Sequence, residues 1–89
     1  MTRYRKILEL RIQWRNLETK YKRADNQRTL LINKIEILFG FLYIRPDCKL
    51  VENEIATYQG LQKAYEIYMT ANTIKRNNIV QEMNNLAIH

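Results

Sequence analysis

The chain has no serine, one histidine, one cysteine, one proline and two glycines in 89 residues, and each shortage closes off a class of chemistry. Without serine, and with its single histidine at the last position, His89, it cannot assemble a serine nucleophile with a base and an acid. With Cys48 alone it can form neither an intramolecular disulfide nor a two-cysteine metal site, and a reducing, cytoplasmic compartment is the expectation. Gly40 and Gly60 stand isolated, so no glycine loop can cradle a phosphate. So few turn-forming residues are also too few for an all-β domain. The longest apolar run, residues 37–44, falls well short of the roughly 20 helical residues that cross a bilayer. The N-terminal Thr2, Arg3, Tyr4, Arg5 and Lys6 have the look of a presequence, but acidic Glu9 and Glu18 and the lack of serine argue against a cleavable signal. Asp47, Glu52 and Glu54 lie near a helix start, where the helix dipole favours negative charge, rather than in a metal-ligand pattern. No catalytic residue, metal or cofactor is expected.

What the chain does have is a seam. Ile7, Leu10, Trp14, Leu17, Tyr21, Ala24, Leu31, Ile35, Leu38 and Leu42 succeed one another in alternating steps of three and four, with Arg28 as the one polar member. That 3.5-residue period belongs to a long helix lying along another helix. Ala24, Asp25 and Asn26 could interrupt it, but the phase is the same on both sides, so the helix is read as continuous. The strong punctuation is Arg45-Pro46-Asp47, where proline disfavours helix at the residue before it and Asp47 can cap the next helix. One all-helical domain over residues 1–89 results: helix 1 over about 2–43, a turn at 44–47, and helix 2 over about 48–70. Thr70, Asn72 and Thr73 compete for backbone hydrogen bonds, so the tail to about residue 87 either continues helix 2 or restarts as a third short helix.

Helix 2 carries a less regular seam. Val51, Tyr58, Tyr65, Asn72, Ile79 and Leu86 hold one heptad position, and Ile55, Gln62, Met69, Arg76 and Met83 the other. An antiparallel hairpin folded at Pro46 sets Leu42 against Val51, Ile35 against Tyr58, Tyr21 against Asn72, Trp14 against Ile79 and Ile7 against Leu86, with Arg28 opposite Tyr65. Tyr58, Leu61, Tyr65 and Tyr68 form a row read as core, with a partner-binding surface as the other reading. Two helices cannot hide everything. Tyr4, Leu8 and Ile12 make a second apolar row, and Leu30, Ile37, Phe39 and Phe41 extend apolar surface around helix 1. Leaving such side chains in water forfeits on the order of 10 kcal/mol at roughly 1.5 to 3 kcal/mol each, comparable to the whole stability of a domain. The expectation is a homodimer forming a four-helix bundle, with these seven residues at the interface, or else a third helix folding back from about Thr73, and a function in protein–protein contact.

Charge points to a second partner class. With 46% hydrophobic and 27% charged residues the chain is too apolar for disorder, but its net +6 is uneven. Residues 1–45 hold eleven Lys and Arg against four acids, and residues 46–89 hold four against five. The cations include Arg5, Arg11, Arg15, Lys22 and Arg23, interleaved with Tyr4, Trp14 and Tyr21, a mixture suited to nucleic-acid phosphates and bases. On the helical wheel Arg11, Arg15 and Lys22 share a face that Arg5 and Arg23 do not. Trp14 and Tyr21 lie in the seam, which favours core over stacking platform.

Leu10-Arg11, Leu17, Arg28 and Leu31 also resemble, in spacing, the long first helix of the all-helical chorismate mutases. Those enzymes are dimeric domains of about this length in which two arginines of that helix bind the substrate's carboxylates. The resemblance is confined to this part of the chain and implies a dimeric fold with Arg11 and Arg28 at a carboxylate site. Phe39 stands where the family has a lysine, and only Glu52 and Gln81 offer themselves for its downstream Arg–Glu pair. The residues themselves favour Arg28 as a polar seam member that sets register.

Overall fold

The computed structural model describes residues 2–88; Met1 and His89 lie outside the described residues. Two helices fill it, α1 over Thr2–Ile44 and α2 over Lys49–Ile88. They fold back on one another: Asn72 bonds to Leu17, Glu66 approaches Arg28, and Lys34 sits over Tyr58, so position along α2 falls as position along α1 rises. The chain is an all-α antiparallel hairpin, 66 × 14 × 14 Å in extent.

The seam read from the sequence is the interior. Leu10, Ala24 and Ile35 of α1 and Ile55, Met69, Asn72 and Ile79 of α2 are buried, and the other seam positions are half-buried. The register holds to within about a residue at Lys34–Tyr58 and Arg28–Glu66. Toward the open end Asn72 reaches the carbonyl of Leu17, one turn beyond the Tyr21 it was expected to face.

Both suspected helix breaks are continuous. At residues 24–26 Asp25 turns its carboxylate to Arg28, 2.8 Å away, rather than competing for backbone groups. At residues 70–73 the hydroxyls of Thr70 and Thr73 donate to the carbonyls of Glu66 and Met69, each at 3.0 Å, and Asn72 points across to α1. The groups that could have unravelled the backbone are thus occupied within the helix or across the seam. α2 therefore runs through as one helix, with no third helix among the described residues.

The reversal occupies residues 45–48. The Arg45 N–H closes α1 on the carbonyl of Phe41 at 2.9 Å, and the Cys48 N–H reaches the Arg45 carbonyl at 3.4 Å around Pro46. The first bond of α2 runs from the Glu52 N–H to the Cys48 carbonyl, 3.2 Å. Cys48, not Asp47, is therefore the N-cap residue, and its side chain offers only a weak acceptor to the free N–H groups above it. Cys48→Asp should stabilise the hairpin by about 0.5–2 kcal/mol, the usual worth of an N-cap oxygen; chemical denaturation reads it, and no gain would mean the cap position is misassigned.

Gly40 and Gly60 lie inside α1 and α2 with ordinary helical backbone, and a Cβ added at either meets nothing within 4 Å. Gly40→Ala and Gly60→Ala should each add about 0.5–1 kcal/mol by restricting the unfolded chain. A denaturant midpoint that falls instead would show that these backbones are not helical.

Candidate interaction surface

Two rods side by side have one interior line and two lateral grooves, and here the grooves differ. On one side Arg28 bridges the helices, its guanidinium 2.8 Å from Asp25 and 3.6 Å from Glu66, beside Tyr21, Thr70 and Thr73. The hydrogen bond to Asp25 raises the Arg28 pKa against the lowering effect of its partial desolvation. At this level the groove is bridged by polar groups that satisfy one another.

The other groove is walled by Lys20, Arg23 and Gln27 of α1 and by Leu61, Ala64 and Tyr68 of α2. Continuing the same three- and four-residue steps toward the turn, α1 presents Leu30, Lys34, Ile37, Phe41 and Ile44, and α2 presents Thr57, Glu54 and Leu50. Six of these, Leu30, Ile37, Phe41, Ile44, Leu50 and Leu61, are large apolar side chains left exposed, as is Tyr68, with Ile37 at 73%. The cation in the middle, Lys34, is turned onto the Tyr58 ring, 5.6 Å from its centroid. An apolar strip thus runs along one flank of the turn half.

All seven residues expected at the interface are exposed, but they do not form one surface. Leu30, Ile37 and Phe41 lie on the apolar flank. Tyr4, Leu8 and Phe39 fall on the opposite flank of α1 by heptad position, with Ile12 toward the outside, and Leu8 and Ile12 share a shallow depression with Arg11 and Arg15 near the open end. The row read as core in helix 2 divides as well: Tyr58 and Tyr65 are half-buried in the seam, whereas Leu61 and Tyr68, one position earlier, are 47% and 43% exposed. That one-residue offset from Gln62 and Met69 was the available signal. Tyr43, Ile67, Ile74, Val80 and Ile88 are exposed singly or on the outer faces and were not singled out by the sequence.

The five candidate nucleic-acid contacts are all exposed. Arg11 and Arg15 border one depression with Trp14 and Met83, Lys22 pairs with Glu18 at 2.9 Å, and Arg23 lies in the apolar groove on the other side. The rings between them are engaged: the Arg76 guanidinium sits 4.6 Å from the Tyr21 centroid and 5.8 Å from that of Trp14. Folding also moves the charge. The turn half, residues 24–69, has five cations and six acids, while the open half, residues 1–23 and 70–89, has ten cations and three acids. A contrast between N- and C-terminal halves becomes one between ends, +7 against −1.

Asn72 anchors the open half. Only 3% exposed, it donates from Nδ2 to the Leu17 carbonyl at 2.8 Å and accepts at Oδ1 from Arg76 Nε, also 2.8 Å. Arg76 further donates to the Thr73 hydroxyl at 3.2 Å. A buried amide bonded to one particular carbonyl makes other registers costly. Among the described residues no cluster of three His, Cys, Asp or Glu could hold a metal, and no helix is long and apolar enough to cross a membrane. In comparisons with protein-family models, curated proteins and solved structures, nothing matches this chain.

Asn72→Ala should cost about 1–3 kcal/mol, because it strands the Arg76 contact and removes the bond to Leu17. Glu66→Gln, at the more solvated ion pair, should cost less. Urea unfolding of both variants decides, and the opposite order would place the register at Arg28 instead.

Proposed function

We propose that this chain is a non-enzymatic helical protein–protein interaction module that self-associates, in the manner of a small regulator, inhibitor or assembly factor. Two copies pair into a dimeric four-helix bundle. The observation that carries this reading is the set of large apolar side chains left exposed, Ile37, Ile44 and Leu50 among them. The chain exposes 7169 Å² in total, polar and apolar together, against about 5,500 Å² for a compact monomer of its mass. Its radius of gyration is 19.8 Å, against about 12 Å for a compact domain of this length. An open rod with an apolar flank is the form of half a bundle. Light scattering should give twice the 10.8 kDa chain mass at micromolar concentration; a single-chain mass throughout would leave the reading without support.

The polarised charge favours a second reading, in which the open half binds nucleic acid through Arg5, Arg11, Arg15, Lys22 and Arg23. Affinity for a generic duplex should then fall steeply between about 50 and 200 mM salt, and Arg11→Glu with Arg15→Glu should abolish it. Absence of binding at low salt removes this reading and leaves the first untouched.

A further inference from the structure

We infer that the occupant of the apolar flank is the same flank of a second copy, docked antiparallel so that only the turn halves overlap and the basic open halves point away from each other. This rests on the proposed self-association and specifies its geometry.

Three observations support it. The first is the asymmetry of the grooves: on one side Arg28 bridges to Asp25 and Glu66 with mutually satisfied charge, and Phe39 is the one interface candidate of the turn half on that flank, while Leu30, Ile37 and Phe41 with Leu61 and Tyr68 leave the other apolar and exposed. A two-fold interface needs a patch that complements itself; the apolar side chains of the strip do so with one another, and its two charged residues, Lys34 and Glu54, are of opposite sign.

The second is area. From the level of Tyr68 to the turn the strip spans about 20 residues of helix, or about 30 Å, and two helices side by side are about 20 Å wide. That is about 600 Å² per copy and about 1,200 Å² for the pair, which reaches the lower bound for stable specific interfaces. Extending the overlap toward the open end would add Lys20 and Arg23 and then Gln13, Asn16 and Lys75, none of which gains by leaving water.

The third is charge. The turn half carries −1 and the open half +7. Pairing with both turns at the same end would lay the two +7 halves alongside each other. Antiparallel overlap of about 30 Å separates them by more than three Debye lengths, each about 8 Å at physiological salt. It brings together the two halves that are nearly neutral. The product is a rod of about 100 Å, given hairpins 66 Å long and an overlap of about 30 Å.

Cys48, the single cysteine and a half-buried residue of the turn, is a built-in reporter. A nitroxide on Cys48 should give an intermolecular electron–electron distance of about 30 Å, the length of the overlap. Ile37→Glu should abolish that distance and return the single-chain mass with helix content unchanged by circular dichroism, whereas Leu8→Glu on the opposite flank should leave both as in the wild type. If Ile37→Glu itself loses helix, Leu61→Glu on the facing helix decides in its place. A distance below about 20 Å, as for turns at one end of a helical pair about 10 Å apart, or dissociation by Leu8→Glu with Ile37→Glu still paired, overturns this geometry while self-association stands. A wild-type chain that stays single at millimolar concentration overturns both.

Discussion

A pair of helices can bury one line of side chains from each member and no more. That constraint governs this protein. Its interior is a single seam of Leu10, Ala24, Ile35, Ile55, Met69 and Ile79 around one amide, and even Leu10, the most enclosed, keeps 2% of its surface open. There is no second layer to raise stability or to fix alignment. Alignment falls to directional groups: Asn72 on the Leu17 carbonyl near the open end and Arg28 on Asp25 and Glu66 nearer the middle. The buried amide is the stronger of the two, because an ion pair that water still reaches is screened.

The same constraint leaves surface over, and the surplus is not uniform. One lateral groove is bridged at mid-length by charges that answer each other, and the other is apolar toward the turn and flanked by Lys20 and Arg23 toward the open end. Reversal of the chain at Pro46 places the near-neutral ends of both helices together and leaves the cations of α1 at the far end beside a weakly charged α2. In the proposed pair, hydrophobic and electrostatic preferences would favour the same arrangement of the two copies. The aromatic rings among the cations have a partner of their own in Arg76, which reduces the stacking surface that a nucleic acid would find there.

Much of this fold is legible in the sequence because a helical hairpin is written in its period. The three- and four-residue steps from Ile7 to Leu42 name the inward positions of α1, and Pro46 marks the reversal. Local capping and the fate of residues 70–73 are less legible. Both depend on where hydroxyl and amide groups find partners, and Asn72 finds its own 55 residues away at Leu17. The candidate surface is legible only by composition. Periodicity separates inward from outward, so Tyr4, Leu8, Ile12, Leu30, Ile37, Phe39 and Phe41 read as exposed. It does not say which of them share a groove with α2 until the register is known. Leu61 and Tyr68 passed as core because a row of aromatics at helical spacing fits either side of the seam boundary.

If a hairpin of this shape is completed by a second copy, folding and association are one equilibrium and stability must depend on concentration. The direct measurement is the midpoint of thermal unfolding over a hundredfold range of protein concentration, monitored by circular dichroism. The account predicts a midpoint that rises steadily with concentration. A midpoint that stays constant across that range, with the chain fully helical at the lowest point, would show that one seam suffices and would contradict it.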